Sequence, residues 1–174
     1  MSKRALKNYL NELSKPQLEA QIVDLYERFK EVKTFYDFTF NPKEDKLITE
    51  AKGKITKEYF PQTKRRPKAR RSVAQNYFKH FMQIGLQESL LVDLMLFNLE
   101  TAQRYNLARP QKAEAFYKSL GTSFLQALHF VKYHGLAHDF GERLKAVAEE
   151  AKKQEWYNWE FLEESFEEVT LSDK

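Results

Sequence analysis

The stretch "LLVDLMLFNL", residues 90–99, is apolar at eight of its ten positions, and Asp93 and Asn98 are the exceptions. It lies in a segment from about 87 to 107 that has no Gly or Pro and reads as one helix. An amphipathic surface helix shows one apolar stripe, whereas a helix greasy on nearly every side is a central one with neighbours around it. A membrane span needs ~20 consecutive apolar residues, so this run is too short to cross a bilayer. The expectation is a body of helices assembled around 87–107.

Working outward, the flanking segments all carry apolar residues at steps of three and four, the mark of a helix with one buried face. After the central helix, Pro110 opens a segment with Phe116, Leu120, Phe124, Leu128 and Val131 in line, and Gly135 closes it. "LAHDFGERLKAVAEEAKK" follows with Phe140, Leu144, Val147 and Ala151, and then "EWYNWEFLEESFEEV" with Trp156, Trp159, Leu162, Phe166 and Val169. On the other side, Ser72 caps a helix with Val73, Tyr77, Phe81 and Ile84, ended by Gly85 in a left-handed conformation. Asn41-Pro42 starts a helix carrying Leu47, Ala51, Ile55 and Tyr59, broken by "FPQTKRRP". Ser14 and Pro16 start a long one with Leu18, Ile22, Leu25, Phe29, Val32 and Tyr36. Its end, "TFYDFTF", also alternates like a strand, but a lone strand has nothing to pair with, so the helix is taken to continue. Ser2 precedes a short pattern of Leu6, Tyr9, Leu10 and Leu13. The fold class is therefore all-α: about eight helices in one domain, residues 1–174, packed as antiparallel hairpins in an irregular array without a sequence period. The basic loop at 61–71 is the expected division between two halves of that body.

The totals agree. With 174 residues, 42% apolar and 14% aromatic, the chain has a core's worth of material, and five Gly with five Pro are too few for a turn-dense β design. The absence of cysteine excludes disulfides, thiolate metal sites and a cysteine nucleophile. The start, "MSKRALKNYLNEL", has no uninterrupted apolar core of a secretory leader, so a cytoplasmic protein with no membrane partner is expected. Charge is uneven: residues 1–80 hold 19 Lys and Arg against 10 Asp and Glu, residues 81–174 hold 10 against 15, and the net is +4. Such asymmetry speaks to partners, not to fold.

No catalytic constellation emerges. His134 and His138 have ligand-like spacing, but Gly135 lies between them at a helix end, and no His-Glu-x-x-His or Glu-x-x-His unit exists. His134 is expected near a helix C-terminus. "LGTSF", residues 120–124, lies inside a helical pattern and is no nucleophile elbow. Asp93, Glu100 and Asp24 stand among apolar neighbours and are expected to point into gaps between helices or to pair with bases, Glu100 with Arg104 for instance. Trp156 and Trp159 are expected to anchor the last helix to the body rather than to form a stacking platform. No catalytic residue, metal ligand or cofactor is assigned.

The candidate site is basic. "TKRRPKARRS", residues 63–72, puts six positive charges into positions 64–71. Pro67 keeps Arg66 extended, so the stretch is expected to be an exposed loop leading into a helix whose polar side continues as Arg71, Gln75 and Lys79. Lys64, Arg65, Arg66, Lys68, Arg70, Arg71 and Lys79 are the candidate anion- or partner-binding residues. Cations at a helix N-terminus face the unfavourable end of its dipole and want an anion nearby. Beside the reading of a simply solvated loop, three sources of that anion stay open. One is internal: the Glu-rich segment 155–168, without Lys or Arg, from this chain or from a second copy that self-associates through it. The others are an acidic protein partner and nucleic acid, although no nucleic-acid motif accompanies the charge.

Three stretches together, "MSKRALKNYLNELSKPQLEAQIVDLYERFKEVKTFYDFTFNP", "KEYFPQTKRRPKARRSVAQNYFKHF" and "EAFYKSL", resemble a family of small uncharacterised bacterial proteins, classed as a domain of unknown function. The resemblance covers most of the chain and implies a helical, cytoplasmic bacterial protein. It carries no activity, cofactor or functional residue with it. The leading reading is a non-enzymatic protein-interaction module using the basic loop, the second a nucleic-acid-associated protein using the same residues, and the third an enzyme of unrecognised type, for which no constellation is found.

Overall fold

The computed structural model describes residues 2–64 and 66–171, with the backbone alone at 170 and 171. Among them are nine helices and no strand: α1 (Lys3–Asn11), α2 (Lys15–Arg28), α3 (Lys30–Phe40), α4 (Glu44–Tyr59), α5 (Arg71–Ile84), α6 (Glu88–Ala108), α7 (Glu114–Tyr133), α8 (Ala137–Lys153) and α9 (Trp159–Leu171). None is long and apolar enough to cross a membrane. The chain separates into two compact units, Met1–Lys43 and Glu44–Lys174. The division thus falls just past the Asn41-Pro42 turn and not at the basic loop, because that loop is tied on both sides to helices of the second unit, as described below.

In the first unit the helix starts are set locally. Ser2 caps α1 by accepting from Ala5 N–H, and the Gln17 side chain accepts from Ser14 N–H at the start of α2. The long helix expected from 15 to 40 is two helices. Phe29 leaves the helical region (φ −115°, ψ 115°), ending α2 and starting α3, which raises the total from eight to nine. The "TFYDFTF" segment is helical throughout. α2 and α3 pack on each other, with the Tyr26 hydroxyl donating to Asp37 at 2.8 Å. No side chain of α1, α2 or α3 is fully buried, and Phe40 is 81% exposed. Asp24, expected to point into a gap or to pair with a base, is exposed and pairs with Arg28 one turn on.

The second unit is built on α6, which packs against α4, α5, α7 and α8. Leu91, Leu94, Leu96, Leu99 and Ala102 are all buried, on faces pointing in different directions. Each fully buried large side chain contributes about 1.5–3 kcal/mol of transfer free energy. Gly85 and Gly135, both in the left-handed region, close α5 and α7 as expected; the N–H of the following residue reaches back to Phe81 and Val131 respectively. Two starts differ from expectation. α5 begins at Arg71 with Arg70 as its cap, so Ser72 lies inside the first turn. α7 begins only at Glu114, because Asn106 captures the intervening segment: its side-chain carbonyl accepts from Gln111 N–H, and Tyr117 donates to Gln111 O at 2.6 Å.

Trp156 is 1% exposed; its ring packs on Phe116 and Tyr117, and its N–H donates to Gln154. It sits before α9 rather than within it, since Glu155 is left-handed (φ 50°) and turns the chain. Trp159 is half-buried under the Lys152 ammonium. Where α9 meets α7, Gly121 makes room: a Cβ there would stand 2.6 Å from Asn158 Nδ2, which donates to Tyr117 O. Gly121→Ala is expected to lower stability by about 1–2 kcal/mol through loss of that hydrogen bond. Thermal unfolding checks it, and the penalty shrinks when Asn158→Ala is already present.

The charges inside α6 are paired. Arg143 of α8 forks onto Glu100 (2.5 and 2.9 Å) and gives its remaining nitrogen to Asp93 (2.6 Å), whose other oxygen holds Lys52 of α4 at 2.6 Å. Asp93 therefore points between helices and pairs, as expected. Glu100 takes Arg143, however, and not Arg104, which bonds Thr101 and lies over the Phe97 ring. Desolvation pushes the Asp93 carboxyl up, but its pairs with Lys52 and Arg143 outweigh this and hold it below the usual carboxylate range. A depressed folded-state pKa contributes stability above the unfolded value near ~4, lost as pH falls through the folded one. Arg143→Met leaves two half-buried carboxylates short of a partner. It is expected to cost about 2–3 kcal/mol at neutral pH, discounted from the fully buried case by the water still reaching the group. The deficit narrows below about pH 4; urea titrations of both proteins across that range measure it.

Candidate basic docking site

The loop between α4 and α5 is held closed at its base. Lys68 and Ala69 N–H groups both donate to Glu58 O (3.2 and 3.1 Å), with Ala69 left-handed at φ 48°. Arg70 forks onto the Glu58 carboxylate at 3.1 and 2.8 Å. The Arg70 hydrogen bonds hold the Glu58 carboxyl below its ordinary range. Glu58 is thus the anion that the N-terminus of α5 and its arginine cap require.

Arg71, half-buried, donates to Ser123 Oγ at 2.8 Å and to Gln126 at 3.4 Å, and Gln75 joins the same Gln126 at 2.8 Å. The expected polar side of α5 is therefore a seam against α7. Only Lys79 of that row is exposed; at ~1.5 Å per residue it stands two turns beyond Arg71, away from the loop.

Lys64, Arg66 and Lys68 are the described cations of the stretch that remain outward, and no ion pair takes them up among the described residues. Arg65 lies outside the described residues. Lys64 and Arg66 line a concavity of about 290 Å³ with Phe60, Pro61, Pro67 and Arg109. A second of about 410 Å³ shares Pro61, Thr63 and Arg66 with it and adds Lys57, Lys68 and Arg70. The floor is partly apolar: Phe60 is 39% exposed and rests edge-on against Tyr105. The site is a cationic rim over an aromatic and proline floor.

Arg109 and Lys57 are the members that sequence reasoning missed. Arg109-Pro110 repeats the Arg66-Pro67 pattern, an arginine held extended by the following proline, and that signal was available. Nothing in the sequence placed the two arginines beside one another. A further concavity of about 410 Å³, beside Phe97 and Leu107, is bordered by Glu100, Glu150 and Arg104, and its mixed charges select no ligand sign.

The histidines do not converge. His134 caps the end of α7, its ring tilted against Phe130, while His138 belongs to α8 beyond the left-handed Gly135. No group of three or more metal-ligating side chains occurs among the described residues. Of the Glu-rich segment, Glu163 is engaged by Lys152 at 2.8 Å.

Among the described residues the regular structure is all helical, and three outward cations, Lys64, Arg66 and Lys68, lie together on the loop before α5. The chain belongs to a family of unknown function (DUF6155), which it matches over residues 1–170. Neither a curated protein nor a solved structure matches it.

Glu58→Gln weakens the charge-assisted fork that closes the loop. A small loss of stability is expected, since Arg70 is half-exposed and water screens the pair. Faster hydrogen exchange at the Lys68 and Ala69 amides should accompany it, and unchanged protection there would show that the fork does not hold the loop.

Proposed function

We propose that the protein is a non-enzymatic interaction module that takes an acidic protein surface at the 61–68 loop. One observation carries this reading: Arg70 and Arg71 are used inside the fold, whereas Lys64, Arg66 and Arg109 surround an apolar-floored concavity with no carboxylate of their own. A nucleic-acid groove needs cations tracking a backbone over many ångströms. Here Arg71 is withdrawn and Lys79 is distant, so the rim is short and suits a few carboxylates flanking an apolar side chain. A surface of this kind gains most of its affinity from the buried apolar anchor and its selectivity from the rim.

Reversing the rim, as Lys64→Glu, Arg66→Glu and Arg109→Glu together, is expected to weaken binding of a short Glu-rich peptide bearing one phenylalanine by tenfold or more. Helical circular dichroism should be unchanged. Fluorescence anisotropy with that peptide and with single-stranded DNA of matched charge checks it. Tighter binding of the DNA, with the steeper salt dependence of a phosphate track, would favour the nucleic-acid reading instead.

A further inference from the structure

We infer that the acidic surface received at this loop is the outer face of α9 on a second copy of the chain. The inference rests on the reading above that the loop takes an acidic protein surface, and it names the partner.

Helix α9 holds to its own body through Leu162 and Ser165, both buried, and through Glu163 on Lys152. It turns Glu160, Phe161 and Glu164 to solvent, with Glu167 and Glu168 a turn further on and Tyr157 just before it. Phe161 is 43% exposed and Tyr157 64%. Residues four apart on a helix are neighbours, so Glu160 and Glu164 form one carboxylate pair beside an aromatic ring. Segment 155–171 contains no Lys or Arg to neutralise them.

The two surfaces are complementary in both sign and polarity. One presents Lys64, Arg66 and Arg109 around an exposed Phe60 and two prolines; the other presents Glu160 and Glu164 around an exposed Phe161. Neither is satisfied within a copy. Among the described residues no ion pair engages Lys64, Arg66 or Arg109, and none engages Glu160 or Glu164. A contact between two different patches of one chain is heterologous, so association grows with concentration, either as a closed ring or as a chain of copies. Rim ion pairs in water are weak and screened, so the assembly dissociates as salt rises past the point where the Debye length falls below ~10 Å.

Sedimentation velocity on the full chain tests this. At low salt the wild-type protein is expected to pass from monomer to larger species with rising concentration, and to return to monomer at about 0.5 M salt, where surface charges are strongly screened. The loop variant (Lys64→Glu, Arg66→Glu, Arg109→Glu) and the helix variant (Glu160→Lys, Glu164→Lys) should each stay monomeric where the wild type associates. Mixed, they should associate again, since the reversed loop now fits the reversed helix. A wild-type protein that stays monomeric throughout overturns the inference, as does a mixture that stays monomeric or a variant that associates as strongly as the wild type. If a variant does not fold, the wild-type concentration and salt series decides alone. A monomeric protein whose loop still binds the Glu-rich peptide loses the second copy as partner but keeps the interaction module. One that does neither loses both.

Discussion

The constraint from which the rest of the second unit follows is that α6 is apolar around its whole circumference. A helix with one greasy stripe is satisfied by one neighbour or one sheet face. A helix with Leu91, Leu94, Leu96, Leu99 and Ala102 pointing several ways must be enclosed, and α4, α5, α7 and α8 enclose it. Enclosure then dictates what the few polar groups of α6 do. Asp93 and Glu100 lie on one side, where Asp93 is met by Lys52 from α4 and by Arg143 from α8, and Glu100 by the same Arg143. Those pairs add little net energy over an apolar pairing. They fix the rotation of α4 and α8 about α6, because a rotated helix would strand a charge. Asn106 and Gln154 do the same at the other end, where one amide pair gathers the 109–113 segment, Tyr117 and Trp156.

The same logic explains why the basic loop is not loose. Six cations in eight positions repel one another, and two of them stand at a helix N-terminus where the dipole is unfavourable. The fold resolves the worst placements first. Arg70, as the cap, receives Glu58 from the last turn of the preceding helix, and Arg71, inside the first turn, is turned sideways onto neutral acceptors of α7. Of the described cations that remain, Lys64, Arg66 and Lys68 lie on the loop itself, where water solvates them at no structural cost. Charges tied into the fold and charges left in water thus stand at nearby positions of the same segment.

Most of the helices were legible from the sequence because apolar spacing, Ser and Pro starts, and Gly stops act within a turn or two. The misreadings share a cause: long-range capture overrode a local signal. The stripe from Leu18 to Tyr36 keeps its spacing straight through Phe29, since a single residue leaving the helical region interrupts the backbone without disturbing the count. Its signature is the Tyr26–Asp37 bond, which no local pattern encodes. Pro110 is a valid helix-opening residue, but Asn106 reaches forward and holds the backbone after it extended. Glu100 had Arg104 at an ideal spacing, yet Arg143 offers a two-pronged guanidinium from a facing helix, and such a fork outcompetes a flexible neighbour on a partly exposed surface. For the site, the charge run was legible and its division between fold and surface was not, because Ser123, Gln126 and Arg109 come from segments distant in sequence.

The first unit follows a different regime. Its 43 residues are near the size below which a chain seldom encloses a core without disulfides, metal or a partner, and it has no cysteine. Consistent with that, none of its three helices buries a side chain fully. Its order comes from short-range devices instead: the Ser2 cap, the Ser14–Gln17 pair, and the aromatic and hydrogen-bonded contacts of Tyr26 with Tyr36 and Asp37. Isolated helices of about a dozen residues are marginal in water, so such devices decide whether they persist. The chain therefore joins two kinds of stability. One unit is specified from its centre outward by a helix that must be surrounded, and the other from its ends inward by caps and turn contacts. Substitutions in the first unit should accordingly act locally and additively, whereas those around α6 should couple across three or four helices at once.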